Sequence, residues 1–134
     1  MTEIDEAIVK RFSEKTGTPA VHNSFYLAVN GKMYNEAAPL GTELPFAMFH
    51  ELSGIYEYNY TSNFENILMQ FNIYAKRPTD SNSLYGKLKA LFDNCILSVS
   101  GYEHIYMIRE QAYKYPYDNY IVRAVEYRIY IQKS

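Results

Sequence analysis

The hydrophobic and polar positions change period several times along the chain, and each change marks an element. Ile4, Ala7, Ile8 and Phe12 recur at helical spacing, which predicts a helix from Glu3 to Lys15. Thr2 can cap it, and Glu3, Asp5 and Glu6 oppose the positive end of its dipole. Gly17 and Pro19 end it. Phe25, Leu27 and Val29 then alternate with Tyr26 and Ala28 as in a strand. Asn30-Gly31 suits a two-residue hairpin turn, because both residues tolerate positive φ, and Lys32 to Asn35 would be the return strand. Ser24 to Val29 also fits the end of a helix stopped by Asn30-Gly31. The hairpin is the preferred reading.

Ala37 to Leu44 contains Pro39 and Gly41 and reads as a loop. Pro45 opens a strand over Phe46 to Ser53, with Phe46, Met48, His50 and Leu52 on one face and Ala47, Phe49 and Glu51 on the other. Ser53-Gly54 marks a turn or bulge, after which Tyr56, Tyr58 and Tyr60 alternate with Glu57 and Asn59. The clearest strand runs from Phe64 to Lys76. Ile67, Met69, Phe71, Ile73 and Ala75 share one side, and Leu68, Gln70, Asn72, Tyr74 and Lys76 the other. Such alternation belongs to a sheet with one buried and one wetter face.

Arg77 to Ser83 cannot continue a strand and offers several helix caps. From Ser83 to about Ile96 the period is helical, with Leu84, Leu88, Leu91, Phe92 and Cys95 as the stripe and Lys87, Lys89 and Asp93 pointing away. Two strands close the chain, Glu103 to Tyr113 and Tyr120 to Gln132, with the turn between them at Tyr115 to Asn119. Successive strands on short turns should be antiparallel. The sum is an α+β fold. We expect a two-layer sandwich with a mainly antiparallel sheet, one long helix packed on a face and an additional N-terminal helix, in a single domain over residues 1–134.

Composition adds one distinctive feature. The chain has 134 residues, of which 48% are hydrophobic and 21% charged, which excludes a disordered polymer. The formal net charge of −2 argues against a strongly basic nucleic-acid binder, although a local basic patch stays possible. There are 15 Tyr and 7 Phe but no Trp. Tyrosine carries a ring for packing and a hydroxyl that tolerates water, so it suits both half-buried sheet faces and protein–protein contacts. The acidic start argues against a secretory signal, and no segment approaches the roughly 18 apolar residues of a membrane helix. Without such a signal, the sequon Asn59-Tyr60-Thr61 reads as chance.

Motifs of catalysis do not emerge. His22, His50 and His104 lack zinc-site spacing, and neither phosphate-cradling glycine loops nor a nucleophile elbow occur. His50 and Glu51 are neighbours on a strand and so point to opposite faces. Cys95 falls on an apolar stripe, where a buried inert thiol is expected. We therefore expect no enzyme, no metal and no cofactor. A pocket between helix and sheet lined by Phe71, Phe92 and Tyr106 would be the mark of a small ligand-binding domain or enzyme instead. Arg109, Arg123 and Arg128 are too dispersed along the chain to define a nucleic-acid stripe.

The element order, with Met33-Tyr34-Asn35-Glu36-Ala37-Ala38-Pro39 and then Leu44-Pro45-Phe46-Ala47-Met48-Phe49, resembles the tail-terminator, or tail-completion, proteins of long-tailed bacteriophages. The likeness covers about Gly31 to Ile131 and rests on element order and a loose Tyr…Ala-Pro…Leu-Pro-Phe pattern. It implies a structural virion protein, assembled in the host cytoplasm and resident at the head–tail interface of the phage tail. Such proteins form homo-oligomeric rings, commonly hexamers, that cap the tail tube. The implied partners are further copies of the chain, the major tail tube protein, the head–tail connector and, transiently and without specificity, passing DNA; no membrane is implied. An adaptor or stopper ring at the same junction is the nearest alternative. The residues suggest Tyr56, Tyr58 and Tyr60 as first subunit-interface candidates and Tyr113, Tyr115 and Tyr117 as second, with Lys87 and Lys89 as candidates to line the lumen.

Overall fold

The computed structural model describes residues 2–58 and 63–133; the side chains of residues 53–58, 63–65, 104, 105 and 133 lie outside that description. Helix α1 (Glu3–Ser13) forms where the apolar spacing requires it. Thr2 accepts a hydrogen bond from the Asp5 amide while the Asp5 carboxylate accepts one from the Thr2 amide, so two otherwise orphaned donors are satisfied reciprocally. Ile4, Ala7, Ile8 and Phe12 are all buried. A short antiparallel pair, β1 (Lys15–Thr16) and β2 (Val21–His22), then leads into a second helix.

That second helix corrects the preferred hairpin. Ser24–Ala28 is helix α2, and Asn30 (φ 54°) with Gly31 (φ 71°) stops it rather than turning a strand. The deciding group is Asn23. Its side-chain oxygen accepts from the Tyr26 amide as an N-cap, and its amide nitrogen donates to the Phe12 carbonyl at the end of α1. Phe25 and Val29, alternating in sequence, are also four apart, and both are fully buried.

The sheet order is β3-β4-β5-β7-β6, with β3 (Met33–Asn35), β4 (Phe46–Tyr58), β5 (Asn63–Ala75), β6 (Tyr102–Pro116) and β7 (Ile121–Lys133). Strand β3 lies parallel to β4, not antiparallel to residues 25–29, because α2 takes those residues away from the sheet. The other pairings are antiparallel. A register shift between Glu51 and Ser53 realises the expected bulge, and β4 continues through it to Tyr58.

Helix α3 (Pro78–Phe92) starts five residues before the expected Ser83. Proline at the first helical position loses no hydrogen bond there and fixes a helical φ, which lets the helix begin directly after β5. Cys95 consequently falls past its end, yet is buried as expected. The stripe Leu84, Leu88 and Phe92 packs on Phe49, Phe71, Val125 and Tyr127 of the sheet, all of them buried. Phe71 is the hub, with ring centroids 4.8 Å from Phe92, 5.6 Å from Tyr127 and 5.8 Å from Phe49. The Arg11 Nε donates to the Leu91 carbonyl at 2.7 Å and ties α1 to α3. All three helices thus contribute to one side of the sheet, giving the expected α+β fold.

Candidate functional site

With helices over one face, the other face of the sheet and its two edges are left for contact. Strand β3, at one edge, is three residues long. Strand β6, at the other, is fifteen. From Ile108 to Asn119 every residue is exposed. A long border strand presents backbone donors and acceptors that folded proteins ordinarily blunt, and here the Met107 carbonyl accepts from the Asn94 amide at 3.0 Å. Two register shifts, at His104/Tyr106 and Arg109/Gln111, interrupt its first part, whereas Gln111 to Pro116 pairs with β7 without interruption.

The pairing register fixes what flanks this edge. On the face away from the helices, Phe46, Tyr74, Val122 and Tyr115 lie in one row across four strands, and Met48, Asn72, Ala124 and Tyr113 in the next. Phe46 stacks on Tyr74 at 4.6 Å, and the Tyr113 and Tyr115 rings lie 6.2 Å apart. Farther along, this face turns polar. Glu126, only 7% exposed, accepts from Gln111 at 3.0 Å and from Gln70 at 3.5 Å. Arg128 bridges Glu110 at 2.8 Å and Asn66 at 2.9 Å. One end of the face is therefore aromatic and the other a hydrogen-bonded polar net.

On the helix side, β6 and β7 carry cations. Arg109 pairs with Asp93 at 3.2 Å and donates to the Tyr85 hydroxyl at 2.8 Å. The Arg123 guanidinium lies 4.6 Å from the centre of the Tyr85 ring, and the Lys89 ammonium 4.4 Å from it. Lys114 stands directly opposite Arg123 in the ladder. Arg109 and Arg123, dispersed in sequence, thus meet at Tyr85, while Arg128 lies on the other face.

Of the interface candidates, Tyr113 and Tyr115 come together on the β6 border, 38% and 48% exposed. Tyr117, in the turn beyond, stacks on Tyr120 at 4.9 Å. Tyr56 and Tyr58 belong to the far end of β4, with side chains outside the described residues, and Tyr60 lies outside them entirely. Lys87 and Lys89 are not brought together. Two positions apart on a helix they diverge by about 200°. Lys89 joins the Tyr85 cluster, whereas Lys87 lines a groove of about 710 Å³ with Lys76, Arg77, Asp80, Leu84 and Pro45. Arg109, Arg123 and Lys114 were not singled out as a group from the sequence, and the β6–β7 register that unites them is not written in any local motif.

The side chains that would mark a helix–sheet pocket do not share one. Phe71 and Phe92 are fully buried in mutual contact, and Tyr106 lies on the opposite face against Tyr130 at 4.5 Å. His50 and Glu51 point to opposite faces, as alternation requires. Burial pushes the Cys95 thiol above its ordinary value, with nearby Arg11 opposing, and its Sγ contacts Met107 Sδ at 3.6 Å. Among the described residues no group of three or more His, Cys, Asp or Glu side chains is placed to hold a metal ion. No helix among them is long and apolar enough to cross a membrane.

No protein-family model matches the chain, and no curated protein is similar to it in sequence. Solved structures do share its fold. A chain from the virion of a native gene transfer agent particle superposes with a TM-score of 0.72 at 10% sequence identity, over 81% of this chain and 84% of that one. A second solved chain superposes with a TM-score of 0.61 at 13% identity, over 98% of this chain and 94% of that one. At these identities the likeness is one of fold.

Proposed function

We propose that this chain is a structural component of a phage-type virion, and more specifically a tail terminator. In that role it assembles as a homo-oligomeric ring, a hexamer by the resemblance noted above, that caps the tail tube and meets the head–tail connector. The partners are then the major tail tube protein and the connector, with DNA passing through the ring. Assembly would take place in the host cytoplasm, and the whole chain would act as one domain without a chemical step.

The observation that carries this reading is the border of β6. A fifteen-residue edge strand, exposed from Ile108 to its end at Pro116, has aromatic residues along one side and cations along the other. Tyrosine and arginine are the residue types enriched at protein–protein contacts, and a free edge adds main-chain pairing to them. A ring needs head-to-tail contacts, which a one-sided border of this kind can supply. Likeness in fold to a chain of a gene transfer agent virion particle supports the same setting.

Mass measurement in solution combined with negative-stain imaging tests it. The expected result is a closed ring with a central hole, lost in Tyr115→Asp while the circular dichroism of the subunit is retained. Tyr58→Asp tests the first-ranked tyrosines in the same way. A chain that stays monomeric at high concentration, alone and with tail tubes, would overturn the reading.

A further inference from the structure

Of the cations beside β6, Arg109 is paired with Asp93, whereas Lys89, Lys114 and Arg123 are paired with no carboxylate among the described residues. Lys114 and Arg123 face one another across the ladder, and like charges in directly opposed positions destabilise a sheet. Arg123 is held by neutral oxygens, Asn82 Oδ1 at 2.7 Å and Ser81 Oγ at 3.4 Å, and Lys89 by the face of Tyr85. Asp93 is taken by Arg109 and by the Tyr127 hydroxyl, and Asp80, next to Ser81, by Arg77. Among the described residues, none of Lys89, Lys114 and Arg123 forms a salt bridge. A chain with a net charge of −2 has therefore gathered uncompensated positive charge at one place.

The opposite sign is found at the other end of β6. Tyr102, which opens that strand, borders a cavity of about 160 Å³ with Thr2, Glu3, Ile4 and Glu51. Glu3 and Glu6, one turn apart on α1, are exposed. Tyr102 and Lys114 are separated along β6 by roughly 40 Å at about 3.3 Å per residue. Among the described residues no salt bridge joins Glu3 or Glu6 to Lys89, Lys114 or Arg123.

We infer that they meet between copies: the Lys89–Lys114–Arg123 face of one chain docks on the Glu3–Glu6 turn of the next. The occupant is a second copy of this chain because the two surfaces are opposite in charge and, among the described residues, no salt bridge joins them within one chain. That arrangement is what a head-to-tail contact uses, and a two-fold contact does not need it. Charges so placed steer the encounter and fix its register. The contact rests on the ring-forming reading only in naming one of its interfaces. Head-to-tail association of any closure would use it.

The full-length chain tests this by sedimentation equilibrium in low and high salt. Lys89→Glu with Lys114→Glu is one variant, Glu3→Lys with Glu6→Lys a second, and all four changes together a third. Each two-site reversal is expected to weaken self-association at least tenfold, and the four-site swap to restore it. Glu3→Gln with Glu6→Gln removes the acidic charge with less disturbance of α1, so the test remains readable if the lysine variant fails to fold. Rings that form equally well in every variant would overturn the contact and leave the ring reading standing. Open chains broken by the reversals and rebuilt by the swap would support the contact and overturn the ring. A monomer at every concentration would overturn both, and so would duplex DNA binding through the cationic face without self-association overturn the contact.

Discussion

The Tyr127 hydroxyl donates to Asp93 Oδ1 at 2.5 Å, joining the middle of β7 to the residue that follows α3. Asp93 also holds Arg109, so a carboxylate at the end of the helix gathers two strands beneath it. The tyrosine ring is fully buried against Phe71 and Phe92. Its hydroxyl titrates far above the ordinary tyrosine range, through burial first and then through the bond to the Asp93 carboxylate. A raised value means that the protonated side chain contributes fully below about pH 10, where the unfolded tyrosine ionises. The contribution is lost as pH rises from there toward the folded-state value. In Tyr127→Phe the alkaline loss of stability should be shallower by about 1.4 kcal/mol per pH unit. At neutral pH that variant should be less stable by about 2 kcal/mol, the scale of a hydrogen bond to a charged acceptor. Urea unfolding at pH 7 and between pH 9 and 11 measures both.

Phe71→Ala should cost about 3–5 kcal/mol, because a fully buried ring touching three other rings leaves a cavity its neighbours cannot fill. Chemical denaturation reads the change. A loss under about 1 kcal/mol would mean that the helix layer does not close over β5 as described.

Asn23 does two tasks with one side chain, and its substitutions separate them. Asn23→Ala removes both the cap of α2 and the tie to the Phe12 carbonyl, and should cost about 2 kcal/mol. Asn23→Asp keeps an acceptor for the Tyr26 amide but loses the donor, so it should fall between the parent and Asn23→Ala in thermal unfolding.

On the open face, Arg128 holds the Glu110 carboxyl below its ordinary value, chiefly through their hydrogen bond. A lowered carboxyl stabilises above the unfolded value of about 4.3, and the contribution is lost as pH falls through the folded one. Glu110 is 40% exposed, so solvent screening keeps the contribution to about 0.5 kcal/mol. Glu110→Gln should therefore lower stability by about that amount from pH 7 to 9 and flatten the acid limb, so that variant and parent converge as pH falls below about 4.

The sheet was legible where burial is one-sided. Ile67, Met69, Phe71, Ile73 and Ala75 alternate strictly, and all five face the helices. The start of α1 was legible because a capping box is local chemistry. The beginning of α3 was not, since only Lys76 and Arg77 separate β5 from Pro78, too few for a change of period to mark the boundary. Least legible was the candidate site. Lys89, Arg109, Lys114 and Arg123 are brought together by strand register and by the packing of Tyr85, and both are tertiary. Tyr113 and Tyr115 were named from the sequence, but Tyr115 was expected in the turn, whereas β6 runs on to Pro116; the gathering of the cations on their other side was not legible.

Residues 25–31 show how two readings of one segment divide, and Gly31 supplies the measurement. A hairpin and a helix stop both need positive φ at Asn30-Gly31, so the pair alone could not decide between strand and helix. The difference lies in what surrounds the glycine. In the structure a Cβ at Gly31 would lie 2.9 Å from the Cζ and hydroxyl oxygen of Tyr26, whose own backbone carbonyl accepts from the Gly31 amide at 2.9 Å. Gly31→Ala therefore carries a backbone cost of about 1 kcal/mol and the displacement of a ring packed between Phe12 and His22. Gly41, also at positive φ, has nothing within 4 Å of its would-be Cβ, so Gly41→Ala carries the backbone cost alone. Thermal unfolding of the two variants side by side should show Gly31→Ala the more destabilised, by a margin that Tyr26→Ala in the same chain removes. Equal losses would mean that Tyr26 does not fold back over the glycine, and would return residues 25–35 to the hairpin.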